Sequence, residues 1–354
     1  MWSRLFGVLA LAVGCYSPVD ATGGGSGAHD APGPNDVGVI ARGDAGSDLA
    51  CATLLDNTCV PLGGGSPVTL SGSFDTTNCP LLVSDDQVCA VIADAATLMG
   101  VTIVGSHSLA VFARTITVGS NSVVVDATTG QAAFCSAFPT RSGCGGGGGA
   151  MATGGGNGGS GGSGGALGKG GTGEAPPTTL AGGCPGTPGG PDLDDTSAPA
   201  GAGGGALYLI ATDSITIDGI VEANGGPGHG GAGTPSGPGG GGGGGAGGMI
   251  ALETPSLVLG PGCTLEAVGG GGGAGGGGTA GDNGGTGIGS AGGAGGGGAG
   301  GDGARRGGSG GGDGQSEVVL LGGGGGGGGV GYVIRAGSGG ATTGMCAVDA
   351  TQLP

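Results

Sequence analysis

Short segments in which apolar and polar residues alternate recur along the chain, and glycine runs separate them. Residues 207–226 and 249–270 align over their whole length with one insertion of two residues, Pro261 and Gly262. Alternation with a period of two is typical of a β-strand with one buried face. Each copy ends on an acidic residue and an alanine before the next glycine run. The two segments are therefore copies of one β unit.

Two further segments extend the repeat. Residues 109–127 carry the same pattern, and a degenerate copy is split between residues 330–335 and 345–350. A repeated unit of this kind buries its apolar face by stacking on its neighbours. The sequence therefore predicts an all-β protein, a β-solenoid similar to a parallel β-helix. The alignment stacks apolar residues of one copy on those of the next: Ile215, Ile217 and Val221 on Leu257, Leu259 and Leu265.

The region before these repeats is also predicted to be β. Its strands are expected at residues 67–74, 80–83, 88–92, 101–104, 109–112, 115–118 and 122–126. Two architectures remain open for it, a compact β-sandwich and the first turns of the same solenoid, and the resemblance of residues 109–127 to the later repeats favours the solenoid. Residues 90–98 fit a short capping helix as an alternative to a strand.

Glycine supplies 107 of the 354 residues, but the absence of a strict G-X-Y register excludes a collagen helix. In residues 155–173 the non-glycine residues recur at every third position, with Leu167 as the exception. They are Asn157, Ser160, Ser163, Ala166, Lys169 and Thr172. This period fits a three-fold helix of the polyglycine II type, whose bare edges allow backbones to approach each other. A disordered linker is the alternative, because ordering glycine costs much conformational entropy.

The first residues predict export. A short basic start and an apolar stretch too short to span a membrane are typical of a signal peptide. The stretch ends in Gly14 and Cys15, which resemble a bacterial lipobox, so Cys15 is the predicted lipidation site, and Tyr16 in place of Asp suggests outer-membrane sorting. We expect four segments: a lipoprotein-type signal peptide (1–14), a flexible tether (15–50), a cysteine-containing β region (51–145) and a glycine-rich repeat β region (146–354).

Charge narrows the range of partners. The formal net charge is −17, and only 8 residues are Lys or Arg. Binding to nucleic acid and electrostatic binding to anionic lipid both require clustered basic residues, so neither is expected. The predicted contact with the membrane is the N-terminal lipid alone.

The cysteines are read as disulfide partners because an exported chain meets an oxidising compartment. Short-range pairing is one possible arrangement, with Cys51 to Cys59, Cys79 to Cys89 and Cys135 to Cys144. A zinc site would need CxxC or Cys/His spacing, which is absent. Oxygen ligands for calcium are weakly suggested by Asp192, Asp194 and Asp195, but a solvated acidic loop is the preferred interpretation, and no metal or cofactor is predicted.

The signal, the sequence LAGGCPG at residues 180–186, the two aligned repeats and the run closing at residues 322–335 resemble glycine-rich surface lipoproteins of Gram-negative bacteria. The resemblance covers about the second half of the chain and the signal. It implies a location at the outer membrane, on the cell surface or facing the periplasm, and it carries no known activity.

Two functions follow as hypotheses. The first is a non-enzymatic, lipid-anchored envelope protein with a structural or adhesive role and a surface polysaccharide or protein as partner. The alternative is a carbohydrate-active β-helix enzyme, a lyase or hydrolase, which would need converging acids. With one lysine and 3% aromatic residues, the chain offers little for proton abstraction or sugar stacking, so no enzyme is expected. An ice-binding surface built on three-fold glycine helices is a remote third hypothesis.

Overall fold

The computed structural model describes residues 49–62, 66–84, 88–126, 135, 144–161, 167–191, 196–234, 237–287, 290–304, 310–317, 321–336 and 341–353. All of them belong to one compact unit, Val37–Pro354. Strand accounts for 35% of the chain and helix for 1%, so the predicted all-β class is confirmed.

Nineteen strands and one 3-10 helix, Thr76–Asn78, make up the regular structure of the described residues. The strands are β1 (Leu49–Ala52), β2 (Thr58–Pro61), β3 (Val68–Asp75), β4 (Leu82–Val83), β5 (Val88–Ile92), β6 (Ala95–Val104), β7 (Ser108–Val118), β8 (Val123–Val125), β9 (Ala206–Ile217), β10 (Ile220–Glu222), β11 (Gly233–Thr234), β12 (Gly237–Pro238), β13 (Met249–Glu253), β14 (Ser256–Leu259), β15 (Thr264–Glu266), β16 (Tyr332–Ala336), β17 (Ala341–Gly344), β18 (Ala347–Asp349) and β19 (Thr351–Leu353). The capping helix considered for residues 90–98 is wrong, because β5 and β6 occupy that stretch.

Fifteen of the strands form one mainly parallel sheet that is nearly closed into a barrel-like shape. The long strands β6, β7 and β9 turn corners, so their two halves pair with different neighbours. This gives the sheet three sides. The first side runs β5, β7, β9, β13, β16 and β19; the second runs β3, β6, β7, β9, β14 and β17; the third runs β3, β6, β8, β10, β15 and β18.

The strand register confirms the stacking predicted from the repeats. On the second side Ile215 pairs with Leu257 and Ile217 with Leu259, and on the third side Val221 pairs with Leu265. The first side is shifted by one residue from the sequence alignment. There Leu207 lies beside Ile250, whereas the alignment places it beside Met249. The corner between the first and second sides is one residue longer in β9 than between β13 and β14, and this accounts for the shift.

The region before the glycine-rich repeats joins this same sheet. Strand β7 pairs in parallel with β9 on both sides of its corner, with a register shift between Ala113 and Thr115. Residues 88–125 therefore continue the repeat sheet and do not form a separate sandwich.

The first side is buried on both faces. Inward side chains such as Leu109 and Leu207 belong to the interior cluster, while outward ones such as Phe112 and Tyr208 pack against the β1–β2 hairpin. The apolar residues that the hairpin contributes are Ala50, Ala52, Leu55, Val60 and Leu62. Burial on both faces explains why β7 and β9 begin as nearly continuous apolar runs.

Glycine-rich segments leave the sheet after β8, β10 and β15, always at the end of the third side, and return at the start of the first. In the central segment, residues 239–248, the amides donate hydrogen bonds to three other segments in rotation at 2.7–3.2 Å. Gly240, Gly243 and Ala246 donate to Gly190, Thr187 and Cys184; Gly241, Gly244 and Gly247 donate to Gly323, Gly326 and Gly329; Gly242, Gly245 and Gly248 donate to His229, Gly226 and Ala223.

The carbonyl groups of residues 239–248 accept from three additional segments. The donors are Gly146 and Gly149, Gly201 and Gly204, and Gly270, Gly273 and Gly276. Six neighbouring segments thus surround one buried run, and its backbone groups are satisfied by other backbones. A Cβ added at Gly243 would overlap the carbonyl oxygen of Gly147, so glycine is required by this close approach.

Candidate functional site

The lipidation and calcium candidates cannot be located in the structure. Cys15, Asp192, Asp194 and Asp195 lie outside the described residues. Asp282 and Asn283 also carry side-chain oxygens and are described, and the side-chain oxygen of Asn283 accepts a hydrogen bond from the amide of Gly230 at 2.9 Å. This oxygen therefore holds two glycine-rich segments together. No group of three or more His, Cys, Asp or Glu side chains within the described ranges is arranged to hold a metal ion.

The structure contains four disulfides. Cys51 pairs with Cys59 and Cys79 with Cys89, as in the short-range arrangement. The other two join residues far apart in the chain: Cys135 to Cys184, and Cys263 to Cys346. Long closed loops lose the most chain entropy in the unfolded state, so these two are expected to stabilise the fold most.

The prediction that Cys135 pairs with Cys144 is wrong. Cys144 is a buried free thiol at the start of a glycine run. Its carbonyl oxygen accepts from the amide of Gly190 at 2.7 Å, whereas Cys184 lies beside Gly149 at the other end of the same run. Residues 144 and 149 are five extended residues apart, a distance of about 15 Å. Cys144 therefore lies far from the Cys135–Cys184 disulfide.

A buried carboxylate links the β1–β2 hairpin to the first side of the sheet. Oε2 of Glu253 accepts hydrogen bonds from the hydroxyl of Tyr208, from the backbone amide of Thr53 at 3.0 Å and from the Thr53 hydroxyl at 3.2 Å. Glu253 is 0% exposed, and its Oε1 has no hydrogen-bond partner in the described part of the chain. Burial, followed by the negative charge of Glu253, raises the pKa of Tyr208.

This cluster was missed from the sequence. Glu253 ends a short apolar strand, a position where an acid is expected to face solvent. The β1–β2 hairpin covers this face of the sheet, and its Thr53 supplies two of the three donors to the carboxylate, while Tyr208 on β9 supplies the third. The cluster therefore fixes the hairpin in place, and nothing in its geometry opens towards a substrate.

A second group of acids lies on the third side. Glu222, Glu266 and Asp349 occupy the same position on three adjacent parallel strands, β10, β15 and β18. Neighbouring strands are about 4.8 Å apart, so like charges follow one another closely. Burial, and then the charge of Glu266, raises the pKa of Glu222. The side-chain amide of Asn224 donates to Oε2 of Glu266 at 3.3 Å and relieves part of this repulsion.

Of these three acids, Glu222 lines an open cleft of about 300 Å³ between the third side and the glycine-rich segments. Its lining residues are Val124, Val125, Asp126, Glu222, Asn224, Gly225, Gly226, Pro227, Thr286 and Gly287. A carboxyl group with a raised pKa beside a second carboxylate is the arrangement used for general acid catalysis. An acid at the end of a short strand is expected from the sequence to face solvent, but the structure shows that Glu266 is buried.

No family model, curated protein or solved structure matches this chain. Among the described residues, no helix has the length and apolar character needed to cross a bilayer.

Proposed function

We propose that this chain is a non-enzymatic, lipid-anchored protein of the cell envelope with a structural or adhesive role. The observation that carries the proposal is the construction of its interior. The central glycine-rich segments pack backbone against backbone, and a side chain at Gly243 would not fit. Such an interior forms a rigid body and leaves functional side chains to the surface.

The hydrogen bonds support a polyglycine II bundle. In that helix a residue recurs on the same edge every third position, and residues 239–248 change partner with this period. Residues 321–331 show it too, because Gly325 and Gly328 donate to Gly273 and Gly270. A bundle of aligned three-fold helices that run in both directions, with six neighbours around residues 239–248, is the packing that these hydrogen bonds support.

The sheet supports a β-solenoid. Successive repeats visit the first, second and third sides in the same order, and the glycine-rich segments depart at the same corner. In this arrangement the bundle lies along one corner of the solenoid and is attached to it after β8, β10 and β15. Stacked repeats and a bundle attached to them at several points give a stiff element suited to a surface protein.

Two features support an exported location. Four disulfides are expected in an oxidising compartment. A net charge of −17 with one lysine, Lys169, favours solubility and offers few tryptic cleavage sites. The lipobox-like Cys15 would provide the anchor.

Replacing the predicted lipidated residue tests the anchor. Cys15→Ser should leave the protein exported but unacylated, and it should move from the membrane fraction to the soluble fraction. Tyr16→Phe is a matched control that should stay in the membrane fraction. Mass spectrometry of the mature N-terminus is the decisive measurement, because an unmodified Cys15 would exclude the lipoprotein proposal.

A second candidate function, glycoside hydrolysis, is favoured by one observation. Glu222 lines an open cleft and lies in register with Glu266 on the adjacent strand, and retaining glycosidases place their two carboxyl groups about 5 Å apart. If this site is catalytic, purified protein should release reducing ends from an envelope polysaccharide, and Glu222→Gln and Glu266→Gln should each abolish the release. Asp218→Asn, an exposed acid outside the cleft, is the control. Absence of release by the wild-type protein over a polysaccharide panel would exclude this candidate.

A further inference from the structure

The outward face of the second side carries a column of hydroxyl groups. The strand register places one outward residue from each of six successive strands side by side. The residues are Thr69, Thr97, Thr117, Thr216, Val258 and Thr343. Five of the six are threonine, and the sixth is valine, which has the same shape with a methyl group in place of the hydroxyl.

A second column runs beside the first, two residues earlier on each strand. Ala95, Thr115 and Ser214 are in register on three strands, and Ser256 and Ala341 are in register on the next two. Together the two columns form a surface of small hydroxyl and methyl groups, which we call the hydroxyl face. The intervening residues, such as Ile116, Ile215 and Leu257, point inward and are buried.

The hydroxyl face is open to solvent and uncharged. Thr117 and Thr115 are exposed, and Val258 is 37% exposed. The hydroxyl groups of Thr115 and Thr117 make no hydrogen bond to the protein within the described ranges. Charged side chains stand at the margin, where Arg114 and Asp94 form an ion pair of 2.7 Å at the corner before the face. In a chain of net charge −17, an uncharged two-column surface is complementary to an uncharged partner.

The spacing of the two columns identifies the kind of partner. Adjacent strands are about 4.8 Å apart, and residues i and i+2 of one strand are about 6.6 Å apart, so six strands present a lattice about 24 Å long. Oxygen positions on the faces of ice repeat in two directions at comparable distances. We propose that the hydroxyl face binds ice, with threonine hydroxyls taking lattice positions and methyl groups filling the spaces between them.

A neutral crystalline polysaccharide also repeats regularly, but the composition of this face favours ice. Proteins that bind sugars at a surface use aromatic rings as stacking platforms, and neither column contains an aromatic residue. Ice presents no apolar ring face and requires only regularly placed small groups. The proposal is independent of the lipid anchor and of the nature of the glycine-rich bundle.

The test uses the whole mature chain in solution and a matched pair of bulky substitutions. Thr117→Tyr places a large side chain at the middle of the hydroxyl face. Thr102→Tyr places the same side chain on an exposed position of the third side, next to Ser73 and Val124 in register. We expect the wild-type protein and Thr102→Tyr to show thermal hysteresis and to inhibit ice recrystallisation, and Thr117→Tyr to lose both, with unchanged circular dichroism.

A second variant keeps the test decisive if Thr117→Tyr fails to fold. Thr216→Tyr alters the same column on the neighbouring strand and should lose ice activity in the same way. No ice activity in the wild-type protein, or full activity in both face variants, would overturn the proposal. Binding of the wild-type protein to insoluble cellulose or chitin without ice activity would also overturn it and would assign the face to a neutral polysaccharide.

Discussion

The sheet and the glycine-rich segments of this chain solve the same packing problem in opposite ways. The sheet fills its interior with branched side chains, and Ile215, Ile217 and Leu209 are fully buried there. The glycine-rich segments have few side chains to bury and bring backbones into contact directly. Apolar area stabilises the first arrangement, and hydrogen bonds together with close contact stabilise the second.

This difference predicts opposite responses to the same change in volume. Removing a methylene from the sheet leaves a cavity, whose cost is moderate because neighbouring side chains relax. Adding a methyl to the bundle forces two backbones apart, and the displacement passes to every segment that is hydrogen bonded to them. The bundle is therefore expected to be the less tolerant region, although it contains the simpler sequence.

The largest effect is expected in the centre of the bundle. Gly243→Val would place side-chain atoms on the carbonyl of Gly147, and a main-chain obstacle cannot move aside cheaply. We expect a loss of more than about 4 kcal/mol in the free energy of unfolding, measured by urea denaturation. At Gly278 a Cβ meets nothing within 4 Å, so Gly278→Val is the control and should be nearly neutral. Equal tolerance at both positions would show that the central run is not packed.

The position of most strands was predictable because their side chains alternate. The pairing of Ile217 with Leu259 followed from aligning two repeats, since a period of two fixes which face each residue takes. The one-residue shift on the first side was not predictable, because the extra residue lies at a corner where the alternation is interrupted.

The arrangement of the glycine runs could not be predicted in the same way. A run such as residues 322–329 carries no side chain that marks which edge faces which neighbour. The pairing of Cys135 with Cys184 depends on this arrangement and was missed for the same reason. Glu253 was missed because the hairpin that covers it, with its partner Thr53, lies 200 residues away in the sequence. In the sequence, Glu222, Glu266 and Asp349 are acids at the ends of separate strands, and only the strand register shows that they form one acidic column.

In the interior of the sheet, a buried charge should lower the free energy of unfolding much more than the loss of one methylene group. Ile217→Asp buries a carboxylate without a partner in the interior and should cost about 3 to 4 kcal/mol. Ile217→Val removes one methylene and should cost about 1 kcal/mol. Thermal unfolding of the two variants measures the difference. A midpoint unchanged by Ile217→Asp would mean that this residue is not in the core, despite its 0% exposure.

A smaller effect is expected at the edge of the bundle. A Cβ at Gly158 would overlap the carbonyl oxygen of Gly145, whereas the neighbouring Ser160 already carries a side chain at a partly exposed position. Gly158→Val should therefore destabilise by about 1 to 3 kcal/mol, and Ser160→Val should change little. Ser163, one three-residue period after Ser160, and Gly164, two periods after Gly158, lie outside the described residues. A flexible linker would tolerate both substitutions, and its amides would exchange with solvent at once, so hydrogen exchange gives an independent measurement.

The smallest effect is expected where the sheet meets a glycine-rich segment, at Glu222. Burial and the nearby charge of Glu266 raise its pKa above the ordinary value of 4.5. Below that value the carboxyl group is protonated in both the folded and the unfolded chain, so it does not affect stability. As the pH rises from 4.5 through the raised pKa, the unfolded chain loses the proton first, and the folded state is progressively destabilised.

Glu222→Gln removes this penalty and should raise the melting temperature at about pH 7, with the gain disappearing below about pH 4.5. Asp218→Asn, an exposed acid at the end of β9, provides the control for the loss of one negative charge. The melting temperatures of the wild-type protein and both variants across this range give the comparison. An equal gain in melting temperature from Glu222→Gln at pH 7 and below pH 4.5 would contradict this prediction. It would show that the charge of Glu222 does not destabilise the contact between the sheet and the glycine-rich segment.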